Sequence, residues 1–520
     1  MMRDVLPPPI GQQQGAPRAR VPPPVRERRG QYVARMFASA ASWLGFVSIL
    51  GTVLIAIVHV NDRSEVDQNP GAWLVQSQSV RNGDLVAPLS DGGRLAGTRY
   101  QPPLTVVLAG VERLVGGHPV LAWKLLALAA FLALFTLIAA LAKRLGASTG
   151  LIVATLGALA AFGPLHQVAV RSGADATAFA IGLLATATVA WGRGRFVIQI
   201  AGLVAALAVL VKLTVVWPLI VGALWLFRRR RQLVAFLTSA AATLILGVVA
   251  FQVGSSGRWY DNMRVGLGSG GDDGVHGLDS AVSRFVHAVS VQGALGAVVL
   301  LAAVVVAWTA LQHRTTIWQL SFGLAVLTAV PLYSDVGVVS NHLLDTVVLA
   351  VLVVIEATCG ALSERGEGRL IVGAILLVVG LTQISMLIAP LGRASALLAG
   401  AERRSSEQLD PFGALIPKGA RLLSEDPTFA VLRGERPVIG DPFMARRLFR
   451  RHPAWLTSFE RRIAAHEFDR VILAARGTKP PWWYSQVHLG ERFVAAVRAS
   501  YEPIGRVGVY EVYGPRPPRA

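Results

Sequence analysis

The chain has 520 residues, 53% of them hydrophobic and only 16% charged, with a formal net charge of +19. That composition excludes an ordinary soluble protein of this length, and a single cysteine, Cys359, leaves neither a disulfide framework nor a cysteine-based metal site. The positive charge does not mark a nucleic-acid binder, because many of the arginines come in short clusters between apolar runs, where they set orientation in a membrane.

Residues 1–36 are rich in Pro, Gln and Arg with almost nothing to bury, which predicts a disordered cytoplasmic arm. The apolar segment behind the arm is long enough to stay in the membrane, so it reads as a span rather than a cleaved signal. Spans are expected at about 37–60, 119–141, 149–165, 175–191, 196–211, 213–227, 233–253, 293–310, 317–333, 343–361 and 370–389. Two long polar loops interrupt them, 61–118 and 254–292. The first carries Asp62, Glu65, Asp67, Asp84 and Asp91, the aromatic Trp73, and a Tyr100-Gln101-Pro102-Pro103 stop. Its apolar piece Leu104–Val115 contains Glu112 and Arg113 and reads as an interfacial helix.

With residue 1 inside, the connectors 142–147, 192–195, 228–232, 311–316 and 362–369 are all inside and hold Lys143, Arg144, Arg193, Arg195, the run Arg228–Arg231, Arg314, Arg365 and Arg369. This satisfies the positive-inside rule at every turn and places the C-terminus outside. Beyond Pro390, Arg421–Ser424, Pro437–Gly440, Arg470–Ala475 and Val507–Val512 read as short strands, and Thr457–Glu467 and Glu491–Tyr501 as helices. The expected fold is therefore a polytopic α-helical membrane protein of about 11 transmembrane helices with a small C-terminal α/β domain. It divides into the arm 1–36, a membrane domain 37–390 and an extracytoplasmic domain 391–520.

On that topology one face collects the polar residues. Asp67 comes from the first loop, Arg171 and Asp175 from the mouth of the fourth span, and Lys212 from the turn between the fifth and sixth. Arg258, Tyr260, Asp261 and Asn262 come from the second loop, and Asn341, His342 and Asp345 from the mouth of the tenth span. Lys212 is the most telling, because the positive-inside bias disfavours an outward lysine. Ionisable residues at membrane depth carry a raised functional prior.

The succession Asp67, Gly83-Asp84-Leu85, Tyr100-Gln-Pro-Pro, Arg171-Ser-Gly-Ala-Asp175 and Lys212-Leu-Thr214, closing on Arg228–Arg231 and a soluble tail, resembles the GT-C superfamily of polytopic glycosyltransferases. Within it the pattern is similar to the branch of protein mannosyltransferases and the lipid A aminoarabinose transferase, the family 39 type. The resemblance covers about residues 37–515. Two departures stand out: Asp67 is followed by Gln68 instead of a second acid, and the span-four motif lacks its proline.

The resemblance implies transfer of a sugar from a polyprenyl-phosphate donor to an extracytoplasmic glycan, lipid or protein acceptor, in a bacterial inner membrane and without nucleic acid. The chemistry fits the residues. A carboxylate, Asp67 or Asp175, takes the acceptor proton as the anomeric carbon is attacked. Lys212, Arg171 or Arg258 neutralises the leaving phosphate. Trp73, Tyr100, Asn341, His342 and Asp345 are expected at the substrate. Asp67, Asp175 and His342 have the side chains of metal ligands, so a divalent cation stays open as a cofactor, although no compact ligand motif is present. The competing class is a transporter or flippase, which would also need intramembrane charges, but these would sit at the midplane rather than on one face.

Overall fold

A computed structural model describes residues 25–61, 68–163, 173–267, 277–335, 340–361 and 413–517 save 481 and 508, with a few isolated positions besides. The membrane part begins with α1 (Val25–Asn61), α2 (Gln68–Arg81), α3 (Pro102–Leu114), α4 (Pro119–Arg144) and α5 (Thr149–Ala160). It continues through α6 (Gly173–Trp191), α7 (Arg195–Val211), α8 (Trp217–Leu226), α9 (Arg230–Gly254), α10 (Arg258–Leu267) and α11 (Leu278–Ser290). It closes with α12 (Ala294–Leu311), α13 (Ile317–Leu332), a short 3-10 turn Ser340–Leu343 and α14 (Leu344–Ala361).

Among the described residues six helices are long and apolar enough to cross a membrane: Met36–Val60, Pro119–Arg144, Ala174–Trp191, Arg230–Gly254, Ala294–Leu311 and Ser340–Cys359. Four shorter apolar helices, Thr149–Ala160, Arg195–Val211, Trp217–Leu226 and Ile317–Leu332, fill the positions of other expected spans. The eleventh expected span, 370–389, lies almost wholly outside the described residues.

Two expectations are corrected. Residues 25–36, read as part of a disordered arm, are helical and run into the first span, because no proline lies between Pro24 and Asn61 and extending an existing helix avoids the cost of a new nucleus. The second polar loop is not a bare connector either, since it contains α10 and α11.

Small residues let the bundle close tightly. A Cβ on Gly157 of α5 would lie 2.1 Å from the Gly45 Cα of α1, so only glycine allows this approach. Hydrogen bonds flank it, from Ser42 Oγ to the Gly150 carbonyl at 3.0 Å and from Thr52 Oγ1 to the Ala160 carbonyl at 3.1 Å.

The C-terminal unit comprises β1 (Leu422–Ser424), α15 (Thr428–Leu432), α16 (Pro442–Arg451), α17 (Pro453–Ala464), β2 (Arg470–Ala474), α18 (Glu491–Ser500), β3 (Tyr501–Val507) and β4 (Tyr510–Pro515). The sheet order is β1-β2-β4-β3, with β1 parallel to β2 and the remaining pairs antiparallel. The strand expected over Val507–Val512 is in fact the turn of the β3–β4 hairpin with its flanks. Pro437–Gly440 joins no strand of this sheet. It pairs instead with Leu95 of the first polar loop, through Leu95 N to Val438 O at 2.8 Å and Gly440 N to Leu95 O at 2.7 Å.

Glu425, at the end of β1, is fully buried and accepts four hydrogen bonds: from Trp483 Nε1, Tyr484 Oη and Ala474 N, and from the His488 Nδ1 edge at 2.8 Å. In the Trp482-Trp483-Tyr484 cluster two of the three rings therefore turn inward, and only Trp482 is exposed. Burial alone would push the Glu425 carboxyl up, but His488 and the other donors outweigh it and hold the acid below its usual value. A depressed acid stabilises the fold above its unfolded value of about 4.3, and that contribution is lost as pH falls through the lower folded value. Glu425→Gln should therefore cost at least about 2 kcal/mol at neutral pH, and the gap from wild type should shrink below pH ~4. Thermal unfolding followed by tryptophan fluorescence across that range checks this, and a gap that stays constant down to strong acid would refute it.

Candidate active site

The site forms where helix ends meet. α7 stops at Lys212, whose backbone is extended, because Thr214-Val215-Val216 disfavours continuation and Pro218 opens α8 two residues later. Asp175 lies in the first turn of α6 and Asp345 in the first turn of α14, so each carboxylate sits at the positive end of a helix dipole. The Lys212 ammonium sits at the negative end of α7, which favours it in the same way.

Asp175 is buried and ion-paired with Lys212, and it accepts a hydrogen bond from Asn341 Nδ2 at 3.1 Å. Asp345 accepts from the fully buried Trp217 Nε1 at 2.7 Å. A small cleft open to solvent is lined by Asp175, Lys212, Asn341, His342 and Asp345, with Thr214, Thr328 and the apolar wall of α13. The Asn341 Oδ1 atom is buried and has no hydrogen-bond partner among the described residues, which leaves it as an acceptor for a hydroxyl.

Five of the residues singled out in the sequence are thus brought together. Others are not. Arg258 pairs with Asp84 at 2.6 Å on a half-exposed surface and does not line the cleft. Trp73 is buried in an aromatic stack, 4.2 Å from the Tyr100 ring and 5.6 Å from that of Trp123, so it is a core side chain instead of a sugar platform. Asn262 is a structural lock: fully buried, it binds the backbone of Thr98 through its oxygen and the carbonyls of Ala87 and Arg258 through its amide. Asp67 and Arg171 lie outside the described residues.

Two cations escaped the sequence reading. Arg99 projects from the segment that Asn262 fixes. Its guanidinium donates to Tyr100 Oη at 3.2 Å, lies 3.9 Å from the Phe443 ring centre, and is within electrostatic reach of Lys212 and His342. Its one signal in sequence was its place directly before the Tyr100 stop. Arg284 of α11 lies within reach of Tyr333, the neighbour of the cleft residue Leu332, and its buried Nη1 has no hydrogen-bond partner among the described residues.

Among the described residues no group of three His, Cys, Asp or Glu side chains gathers as a metal set. The Asp175 carboxylate already holds an ammonium, which opposes a second cation at the same oxygens. No step is assigned to a metal.

Polar groups collected at one end of a helical bundle with membrane-long apolar helices, together with a separate α/β unit, define a polytopic membrane protein. The comparisons agree. The model of glycosyltransferase family 87 matches residues 98–334. Arg99, Asp175, Lys212 and Arg258 fall inside that match, and Asn341, His342 and Asp345 lie just past it. The crystal structure of ArnT from Cupriavidus metallidurans bound to undecaprenyl phosphate is similar at a TM-score of 0.53 and 12% identity, covering 90% of this chain and 97% of that one. The apo state of the same protein gives 0.52 and 13%, covering 90% and 96%. No curated protein matches the sequence. The GT-C resemblance drawn from the loop-one, span-four and Lys212 motifs is borne out.

Proposed function

We propose that this protein is a membrane glycosyltransferase that moves a sugar from a polyprenyl-phosphate donor to a glycan, lipid or protein acceptor at the extracytoplasmic face. The observation that carries the proposal is the Asp175–Lys212 pair in a cleft shared with Asn341, His342 and Asp345, at the opposite helix ends from the arginine-rich connectors. α6 starts at the cleft with Asp175 and ends before Arg193, while α7 starts at Arg195 and ends at Lys212. With the arginines inside, the cleft faces outward. The donor class is supported by the polyprenyl phosphate in the similar ArnT structure.

In the reaction the acceptor hydroxyl attacks the anomeric carbon, its proton passes to a carboxylate, and the bond from that carbon to the phosphate oxygen breaks. Asp67 is the base. Asp175 is already engaged by the Lys212 ammonium and by the Asn341 amide. It holds the ammonium instead. Lys212 and Arg99 take up the charge that develops on the leaving phosphate, and Arg284 adds a third cation near the rim. Asn341 Oδ1 accepts a sugar hydroxyl. The long lipid of the donor is the reason such a site sits at a membrane surface.

The test is binding of undecaprenyl phosphate to the purified protein in nanodiscs, with undecaprenol as the control lacking the phosphate. Saturable binding of the phosphate that is at least about tenfold tighter than that of the alcohol is expected from charge-assisted hydrogen bonds. Equal binding of both lipids would remove the phosphate site. Proton-driven uptake of a lipid-linked substrate without sugar release would place the protein among transporters.

A further inference from the structure

We propose that the C-terminal α/β unit completes the phosphate site by holding Arg99 and the far rim of the cleft on one helix, α16. This rests on the reading of the cleft as a polyprenyl-phosphate site. The unit is docked on the first polar loop at several points. The Leu95 pairing with Val438 and Gly440 is one, and Arg462 Nη1 donating to the Gly93 carbonyl at 2.5 Å is another. A third is Gly71 of α2, where a Cβ would stand 2.6 Å from Thr428 Oγ1.

α16 then reaches Arg99 on one side and Asp335, just past the end of α13, on the other. Its cap Asp441 spends Oδ1 on the Phe443 and Met444 amides, and its buried Oδ2 lies 3.6 Å from Arg99 Nε. Phe443 follows, with the Arg99 guanidinium 3.9 Å and the Arg447 guanidinium 4.1 Å from its ring centre. Two groups of that size so close to one centre cannot share a face, so they flank the ring. One helical turn separates Phe443 from Arg447, which is why both serve the same surface. Arg447 Nη2 in turn binds Asp335 at 3.4 Å. Asp335 lies three residues past the cleft residue Leu332, on the way to Asn341 and His342.

The chain Asp335–Arg447–Phe443–Arg99–Asp441 thus joins α13 to the Thr98–Gln101 segment through the soluble unit. Without it, Arg99 would be a flexible cation on a loop. Fixing the guanidinium beforehand removes the entropy its ordering would cost when the phosphate binds. Phe443, Asp441 and Arg447 are positioning residues and do not touch the lipid.

The experiment measures undecaprenyl phosphate affinity of the full-length protein in nanodiscs, with the melting temperature as a folding control. Arg99→Met should weaken binding about tenfold, and Arg447→Met about threefold; loss of Arg99 also strands the buried Asp441 Oδ2, so affinity is read well below each variant's melting temperature. Phe443→Tyr keeps the ring and should retain wild-type affinity, whereas Phe443→Leu should match Arg99→Met. The double variant Arg99→Met/Arg447→Met should bind only a little more weakly than Arg99→Met alone, because Arg447 acts mainly through Arg99. Wild-type affinity in Arg447→Met, or fully additive losses in the double variant, would overturn the positioning role and leave the phosphate site standing. Wild-type affinity in Arg99→Met alongside a loss in Lys212→Ala would do the same. Absence of undecaprenyl phosphate binding by the wild type would overturn both readings. If Phe443→Leu fails to fold, the arginine pair still decides.

Discussion

Replacing Asp67 by Asn should lower sugar transfer at least about 10²-fold while leaving binding of undecaprenyl phosphate in place. An acceptor hydroxyl is a weak nucleophile until a base takes its proton, and the amide has the shape of the carboxylate but cannot accept that proton. The assignment comes from sequence: Asp67 stands just ahead of α2 and Trp73, in the first polar loop. Of the cleft's own two carboxylates, Asp175 is engaged by Lys212 and Asn341 and Asp345 accepts from Trp217. Turnover is measured with any donor and acceptor the wild type accepts. Near-normal turnover in Asp67→Asn with loss in Asp62→Asn or Glu65→Gln would move the base within the loop. Loss confined to Asp345→Asn would move it into the cleft.

Lys212→Ala should reduce transfer by about 10²–10³-fold, as removal of one preorganised donor to a developing anion does elsewhere. Donor affinity should fall with it, because the phosphate is charged before as well as after the bond breaks. The substitution also strands the buried Asp175 carboxylate, a change that by itself destabilises the fold. The double variant Asp175→Asn/Lys212→Met removes that penalty, so it should regain thermal stability without regaining activity. Lys212→Arg keeps the charge with altered geometry and should retain part of the donor affinity. Equal donor affinity in wild type and Lys212→Ala would leave Lys212 as the counter-ion of Asp175 and nothing more.

Much of the site was legible in the sequence because its members stand at helix ends. Apolar run length predicts where a span starts and stops, and arginine clusters predict which end is which. Asp175, Lys212, Asn341, His342 and Asp345 therefore share a side before any contact is known, and the structure gathers them in one cleft. The same logic could not rank the loop residues. Arg258 and Arg99 are both arginines in polar segments, yet one is spent on Asp84 across 174 positions of sequence and the other is held against Phe443 and Asp441. Trp73, expected at the substrate, is held in an aromatic stack, and the Trp483–Tyr484 pair is held on a buried glutamate. Pro437–Gly440 had the pattern of a strand but found its partner in Leu95, outside its own sheet. The physical reason is common to all of these. Helix position and membrane side are set by local hydropathy, which each stretch carries within itself. A loop side chain's partner depends on which distant backbone arrives beside it, and only the packed tertiary structure, with Asn262 and α16 locking Thr98–Gln101 in place, decides that.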